Sequence, residues 1–301
     1  MEDQMNHIQT INQLKERIDD YDFDIKTLPM CGYQDRMNYT YDDMIECNDR
    51  VMIVKSEDNQ YLGNHSPAYR PVKNKDIIQP IWDMMKRQSN DIVPNIQVLQ
   101  SGQMMLATFT CRDITIQDPQ LNSYIAFRVT VRNSYNGVWS VMITADGFRV
   151  WCNNGCTTAD KIANYTQKHN GKFYYNFDHI EHLVQEFKGN EQRYRAWYST
   201  PVSSDEVESM FNKLAYTPRP TVDGKYRNET QYQKLMQHWG DYQHNIGNNK
   251  WALYNAVTHW ISHPVDVKNK YKTTVERNSK LLSYMNRPNS MFYTRGSYGT
   301  I

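Results

Sequence analysis

The stretch from Leu121 to Thr158, LNSYIAFRVTVRNSYNGVWSVMITADGFRVWCNNGCTT, constrains the fold more than any other part of the chain. From Tyr124 to Val131 the residues alternate, with Ile125, Phe127, Val129 and Val131 on one side and Tyr124, Ala126, Arg128 and Thr130 on the other. A period of two marks a strand with one apolar face. Asn136-Gly137 then gives a hairpin turn, because both residues tolerate positive φ. A return strand is expected over 138–144, a second tight turn at Asp146-Gly147, and a third strand over 148–152. The unit reads as a three-stranded antiparallel meander.

Asn153-Asn154-Gly155 breaks that third strand, and Thr157-Thr158 precedes a run with Ile162, Ala163 and Tyr165 that reads as a helix over 157–168. Threonine suits a helix N-cap because its hydroxyl accepts from an orphan backbone N–H. Bare N–H groups at such a junction suit an anion; an ordinary capped junction holding water is the commoner reading of the same residues.

Upstream, Ile8, Ile11, Leu14 and Ile18 recur at helical spacing and predict an amphipathic helix over 5–19. Thr40-Tyr41-Asp42-Asp43 resembles an N-cap followed by first-turn acids, predicting a short helix to Asn48. Val51–Lys55 and Gln60–Leu62 read as a strand pair about Glu57-Asp58-Asn59. A proline-marked loop follows over 65–74, then a helix with Ile77, Ile78, Ile81, Trp82 and Met85 on one face, where Pro80 is tolerable only near the start. A second hairpin joins Ile96–Leu99 to Met104–Phe109 through Ser101-Gly102. After the meander the chain turns helical, with helices expected over 177–198, 203–215, 228–245, 249–263 and 270–284, punctuated by Pro201, Pro218, Pro220, Gly247 and Pro264. The fold class is α+β: an antiparallel sheet of about five strands followed by a mainly helical C-terminal half. Its expected organisation is an acidic helical arm (1–50), a sheet core with helices (51–218), a basic helical region (219–285) and a tail (286–301).

At 301 residues the chain can bury a sizeable core. Its net charge of +1 hides an asymmetry. Residues 1–60 hold fourteen Asp/Glu against six Lys/Arg, a net of −8, and residues 219–301 hold twelve Lys/Arg against five Asp/Glu, a net of +7. Such a split suits contact with nucleic acid or with a neighbouring subunit, and also arises from solvated helix faces. The five cysteines are odd in number without framework spacing, which together with the lack of a signal peptide or membrane-spanning run predicts a reduced, cytoplasmic protein with no membrane partner.

Val54-Lys55 through Gly63, then Tyr69-Arg70-Pro71-Val72-Lys73-Asn74, Asn133-Ser134-Tyr135-Asn136-Gly137 and Phe148–Gly155, and finally Trp251–Thr258, resemble in order the signature of an uncharacterised phage/plasmid-like protein family, domain of unknown function nine hundred and thirty-two. The resemblance covers roughly residues 50–265 and implies a phage or plasmid origin without a known activity. Two positions depart from the family pattern: Asn136 stands where an acid is usual and Trp151 where a small apolar residue is usual. The mix of hairpins and helices is also loosely similar to phage single-strand annealing proteins, a fold-level analogy.

No phosphate loop, dinucleotide fingerprint or nucleophile elbow is present, and no cofactor is expected. Cys152 and Cys156 with His179 and His182 offer two sulfur and two nitrogen ligands for zinc; a solvent-facing histidine pair explains the same spacing. His259 and His263 share a helical face, but HWISH lacks the glutamate of a metalloprotease motif. The most suggestive feature is the interleaving of cations and rings in Lys225-Tyr226-Arg227, Lys250-Trp251, Lys268-Asn269-Lys270-Tyr271-Lys272 and Arg277, which Arg128, Arg132 and Arg149 of the meander extend if they face outward. Cations neutralise phosphates while rings stack bases without reading sequence; the alternative is a bundle with its rings inside and its lysines in water. The first alternative predicts a homo-oligomeric protein that binds or anneals single-stranded DNA in replication or recombination, without nucleotide hydrolysis. A self-assembling structural or host-interaction protein and a metal-dependent nucleic-acid enzyme are its rivals.

Overall fold

The computed structural model describes residues 14–33, 44–119, 124–149, 157–175, 180–220, 222, 224, 226–265, 267 and 270–292. Strands β1 (Arg17–Ile18), β5 (Ile92–Leu99), β6 (Met104–Gln117), β7 (Tyr124–Ser134), β8 (Val141–Arg149) and β9 (Thr157–Gln167) form a six-stranded sheet in the order β1-β5-β6-β7-β8-β9. The short β1 runs parallel to β5 and the other neighbours are antiparallel. Strands β2 (Ile25–Tyr33), β3 (Met44–Lys55) and β4 (Tyr61–His65) make a separate antiparallel sheet of three. The α+β class therefore holds, while the sheet is larger and mixed and has a smaller companion.

Several expected elements take another form. The 5–19 helix has only its end among the described residues, and there Arg17–Ile18 is extended and paired with Asn95–Ile96. Of the 40–48 helix, residues 40–43 lie outside the described residues and 44–48 are strand, paired with β2. Asp146-Gly147 makes no turn. Asp146 lies opposite Arg128 in the ladder and its carboxylate takes both guanidinium bonds, at 2.9 and 3.1 Å, so the strand runs straight through. Thr157–Gln167 is likewise no helix: it pairs with β8 from Val141↔Gln167 to Phe148↔Thr157. In each case an open strand edge supplied backbone partners that outweighed a weak local preference. The 150–156 junction, with its anion-site reading, lies outside the described residues.

The helices follow the sequence closely, because their ends carry local signals. α1 (Asn74–Gln88) keeps Pro80 in its interior, as its seventh residue, rather than at the first turn. It buries Ile77, Ile78, Ile81, Met84 and Met85, and half-buried Trp82 lies 5.7 Å from Phe109 of β6. α2 (Ile180–Tyr198) covers the same apolar face of the large sheet through Phe187, 5.5 Å from Phe127. α3 (Ser204–Leu214) opens on a capping box between Ser203 and Glu206. Asn228 caps α4 (Glu229–Ile246) and Asn249 caps α5 (Lys250–Ser262), each accepting from the backbone N–H three residues on. α6 (Lys270–Met285) completes the layer. α5 is buried almost all round, so it is the axis about which the helical half packs. No helix among the described residues is long and apolar enough to cross a membrane.

A tight seam joins the two sheets, and the motif residues meet there. A side chain at Gly63 of β4 would place its Cβ 2.3 Å from the Tyr135 carbonyl oxygen and 2.8 Å from Asn136 Cα, so the backbones touch directly. His65 Nε2 lies 2.6 Å from the same carbonyl while its ring stacks on Tyr69 at 3.7 Å. Fully buried Asn133 donates to the Val72 carbonyl at 3.0 Å and to Asn74 Oδ1 at 2.8 Å, and the Asn74 N–H donates to the Tyr135 hydroxyl at 3.0 Å. His169 accepts from the Val72 N–H through Nδ1 and donates to the Trp139 carbonyl through Nε2; burial pushes its pKa down and keeps it neutral. Asn136 donates to Gln100 and Gln103 and accepts from the Val138 N–H, so it serves the turn. Gly63→Ala is expected to lower unfolding free energy by about 2–3 kcal/mol in urea titration. The exposed neighbour change Asn64→Ala should stay within about 0.5 kcal/mol.

Three imidazoles line up where α4 meets α5: His238, His259 and His263, with successive ring centroids 4.4 Å apart. The Tyr242 hydroxyl lies 3.1 Å from His259 Nδ1, and His263 Nδ1–H donates to the His259 carbonyl. Burial, then the neighbouring His238 and His263, push the His259 pKa down to about 4; burial lowers that of His238 as well, against the opposing pull of Asp241. A histidine whose folded pKa is depressed adds stability above its unfolded pKa of 6.5 and loses it as pH falls toward the folded value. Thermal unfolding scanned from neutral pH to pH of about 4.5 should therefore show a falling Tm, and His259→Asn should flatten the fall.

Candidate nucleic-acid interface

The tryptophans of the helical half and several of its other rings turn inward. Trp251 and Tyr254 of α5, Tyr194 and Trp197 of α2 and Phe292 beyond α6 form one buried cluster, with Tyr194 and Trp251 centroids 4.6 Å apart and Trp197 and Phe292 4.9 Å apart. The Trp251 indole N–H donates to Asp118, just past β6, at 3.3 Å. The expectation that Trp251 stacks bases at the surface is thus corrected: a large ring gains more free energy from burial in this cluster than from solvent.

The cations interleaved with those rings disperse. Lys250 Nζ donates to the Met291 carbonyl at 2.8 Å. Arg277 is buried over the Trp260 ring and donates to the Trp260 carbonyl and to Gln231. Burial lowers its pKa to about 10, still protonated at neutral pH. Arg227 is held by Glu229 and Asn212 and lies over Tyr232 at 4.0 Å. On the sheet, Arg128 is buried, neutralised by Asp146 and stacked on Phe148 at 4.6 Å, so it offers no charge to a phosphate. Arg132 is half-buried opposite Met142, and Arg149 pairs in register with Ile125. Lys270 is exposed at the start of α6. Lys225 and Lys268 lie outside the described residues, as do the side chains of Arg149, Tyr271 and Lys272. Buried Arg128 and Arg277 and buried Trp251 thus leave the expected continuous trough without its central members.

Of the zinc candidates, Cys152, Cys156 and His179 lie outside the described residues, and His182 is exposed on α2. Among the described residues no group of three His, Cys, Asp or Glu is placed to hold a metal ion.

A different surface gathers rings and cations. Tyr216 and Tyr226 stand on the two limbs of the loop between α3 and α4, which are tied by Thr217 N–H to the Tyr226 carbonyl (3.0 Å) and Asn228 N–H to the Ala215 carbonyl (2.9 Å). Both rings are about half exposed and stack nearly parallel, 13° apart with centroids at 6.4 Å. Lys280 of α6 donates to the Leu214 and Tyr216 carbonyls and so holds the base of the loop. Beside it, between α3 and the end of α6, lies a groove of about 680 Å³ lined by Asp205, Glu208, Asn212, Lys213, Tyr216 and Arg287. Arg219 is exposed on the same loop. Cations at Lys213 and Arg287, acceptors at Asp205 and Glu208 and a ring at Tyr216 can hold a molecule that is anionic at one end, flat in the middle and rich in N–H donors at its edge. Sequence reading overlooked Tyr216, Lys213 and Arg287 because they lie on different elements. Pro218-Arg219-Pro220 and Asp223-Gly224, which mark an exposed loop between helices, were the available signal.

No curated protein and no solved structure matches this chain. A family model described as "Domain of unknown function (DUF932)" matches residues 61–282, which span β4, the large sheet apart from β1, and the helices up to all but the end of α6. The chain belongs to that family.

Proposed function

We propose that the protein binds single-stranded nucleic acid, DNA in the first instance, through the Tyr216–Tyr226 stack and the groove beside it. In this reading it serves the replication or recombination of a phage or other mobile element in the host cytoplasm, without hydrolysing nucleotide. The observation that carries the reading is the exposed tyrosine pair. Two parallel half-exposed rings on a tied loop form a platform on which bases can stack at little entropic cost, since the rings are already ordered. The groove is within the size range of small-molecule sites, so it can admit one nucleotide unit. There Lys213 and Arg287 neutralise phosphate, and Asp205 and Glu208 accept from exocyclic amines. A duplex keeps its bases stacked on each other and fits this platform poorly.

The test is fluorescence anisotropy with a labelled oligonucleotide at low salt. Single strands should bind more tightly than the matching duplex, and log affinity should fall linearly with log salt. Tyr216→Ala and Tyr226→Ala should each weaken binding by about 1–3 kcal/mol, or roughly 5- to 150-fold. Lys213→Ala should lower the salt slope by about 1. Absence of binding at low salt, or unchanged affinity in the double tyrosine variant, rejects the reading.

A further inference from the structure

Past the end of β9 the chain forms a short loop over residues 168–175 that alternates between the body and water. His169 is held by the Val72 N–H and the Trp139 carbonyl. The half-buried rings of Phe173 and Tyr175 pack on the apolar core, parallel to each other with centroids 6.3 Å apart. The residues between these anchors, Lys168, Asn170, Lys172 and Tyr174, are exposed, Tyr174 at 58%. Alternation thus turns two cations and a ring out of the body on one loop.

The loop is ordered by the last residue of β9. Gln167 Nε2 donates to Asn170 Oδ1 at 3.0 Å and to the Lys172 carbonyl, and Gln167 Oε1 accepts from the Tyr174 N–H at 2.9 Å. Gly171, at a φ of +86° that suits glycine, closes the turn against Arg70. Its N–H donates to the Arg70 carbonyl at 2.8 Å, and a Cβ there would lie 3.2 Å from Arg70 Cβ. Arg70 is itself exposed, and its guanidinium donates to the Pro67 and Tyr69 carbonyls, which leave its charge uncancelled. Among the described residues no ion pair engages Arg70, Lys168 or Lys172, and residues 164–175 contain no acid. The groove beside Tyr216 mixes acids with its cations; this loop and its neighbour Arg70 carry cations only.

Uncancelled positive charges beside an exposed, pre-ordered ring match a polymer that repeats a phosphate with a flat base. An acidic protein segment would answer the charges and leave the ring in water, and a duplex keeps its base faces from the ring. We propose that the 168–175 loop, together with Arg70, is a second contact for single-stranded nucleic acid, with Tyr174 stacking a base while Lys168, Lys172 and Arg70 take neighbouring phosphates. The inference rests on the reading that the chain binds single strands, and it adds a part of the strand's path that lies on the sheet half rather than on the helices.

The experiment is fluorescence anisotropy of the full chain with a labelled single strand of about 30 nucleotides, well beyond the roughly 4–16 that one small binding fold covers, over a range of salt. Lys168→Gln/Lys172→Gln should lower the slope of log affinity against log salt by about 1.4, since each phosphate contact on a single strand counts about 0.7. Tyr174→Ala should weaken binding roughly 5- to 150-fold and leave that slope in place. All three side chains are exposed, so circular dichroism should not change. A lysine variant with the wild-type slope overturns the proposal. So does a Tyr174→Ala protein that binds as wild type does, which leaves a charged surface of the kind an acidic protein segment also meets. Either result leaves the Tyr216–Tyr226 reading in place so long as the variants of that pair still weaken binding. Loss on Tyr174→Ala with none on the double Tyr216→Ala/Tyr226→Ala variant rejects the pair and keeps the loop, and a wild type that does not bind at low salt overturns both.

Discussion

Burial of the large rings of the helical half governs the arrangement of the rest of this protein. Tyr194, Trp197, Trp251, Tyr254 and Phe292 come from α2, α5 and the segment after α6, and they can leave water together only if those pieces converge. Each such ring removes about 150–250 Å² from solvent, so the cluster outweighs any single polar contact in the half. The Trp251 indole bond to Asp118 ties the cluster to the end of β6 and fixes how the helices sit against the large sheet. With the rings committed inward, the cations beside them in sequence must leave in other directions. Successive residues on a helix point about 100° apart, and so Lys250 reaches the Met291 carbonyl while Trp251 next to it is fully buried.

The seam between the sheets imposes a second constraint, of contact distance rather than area. Gly63 must carry no side chain for β4 to lie against Tyr135. Asn133, Asn74 and Tyr135 then close a buried set of hydrogen bonds that draws the Tyr69–Asn74 and Asn133–Gly137 segments together. These seam residues hold the junction between the two sheets. The family match begins at residue 61, at the strand that makes this junction, and the β2–β3 ribbon precedes it. The seam, the α3–α4 loop and the helices up to residue 282 lie within the matched span, whereas the ribbon, Arg287 of the groove and Phe292 of the ring cluster lie outside it.

Much of the helical half was legible because helix ends are written locally. Ser203 with Glu206, Asn228, Asn249 and Gly247 stop and start helices through bonds to residues three or four positions away, and any one of them can be read without knowledge of the fold. Strands paired at a distance were harder. Residues 44–48 and Thr157–Gln167 were expected as helix, yet each lies in a ladder beside a partner that sequence does not place. Asp146-Gly147 resembled a turn until Arg128, eighteen residues away, claimed the carboxylate. The candidate site followed the same rule. Tyr226 belongs to a cation–aromatic run visible in the sequence, whereas Tyr216, Lys213 and Arg287 became its neighbours only through packing of α3, α6 and the loop between α3 and α4.

The sequence alone determined the α+β class, the five C-terminal helices, the β5–β6 and β7–β8 hairpins and the division of charge between the two ends of the chain. These depend on periodicity, capping and composition, which act over a few residues or over none. The tertiary structure decided which side chains share a surface: that the tryptophans face inward, that Arg128 is neutralised, that two tyrosines stack in the open, and that β2 and β3 extend as a ribbon. The reason is that burial and strand pairing are settled between distant segments, where the gain from removing apolar area or satisfying a backbone group exceeds any local preference.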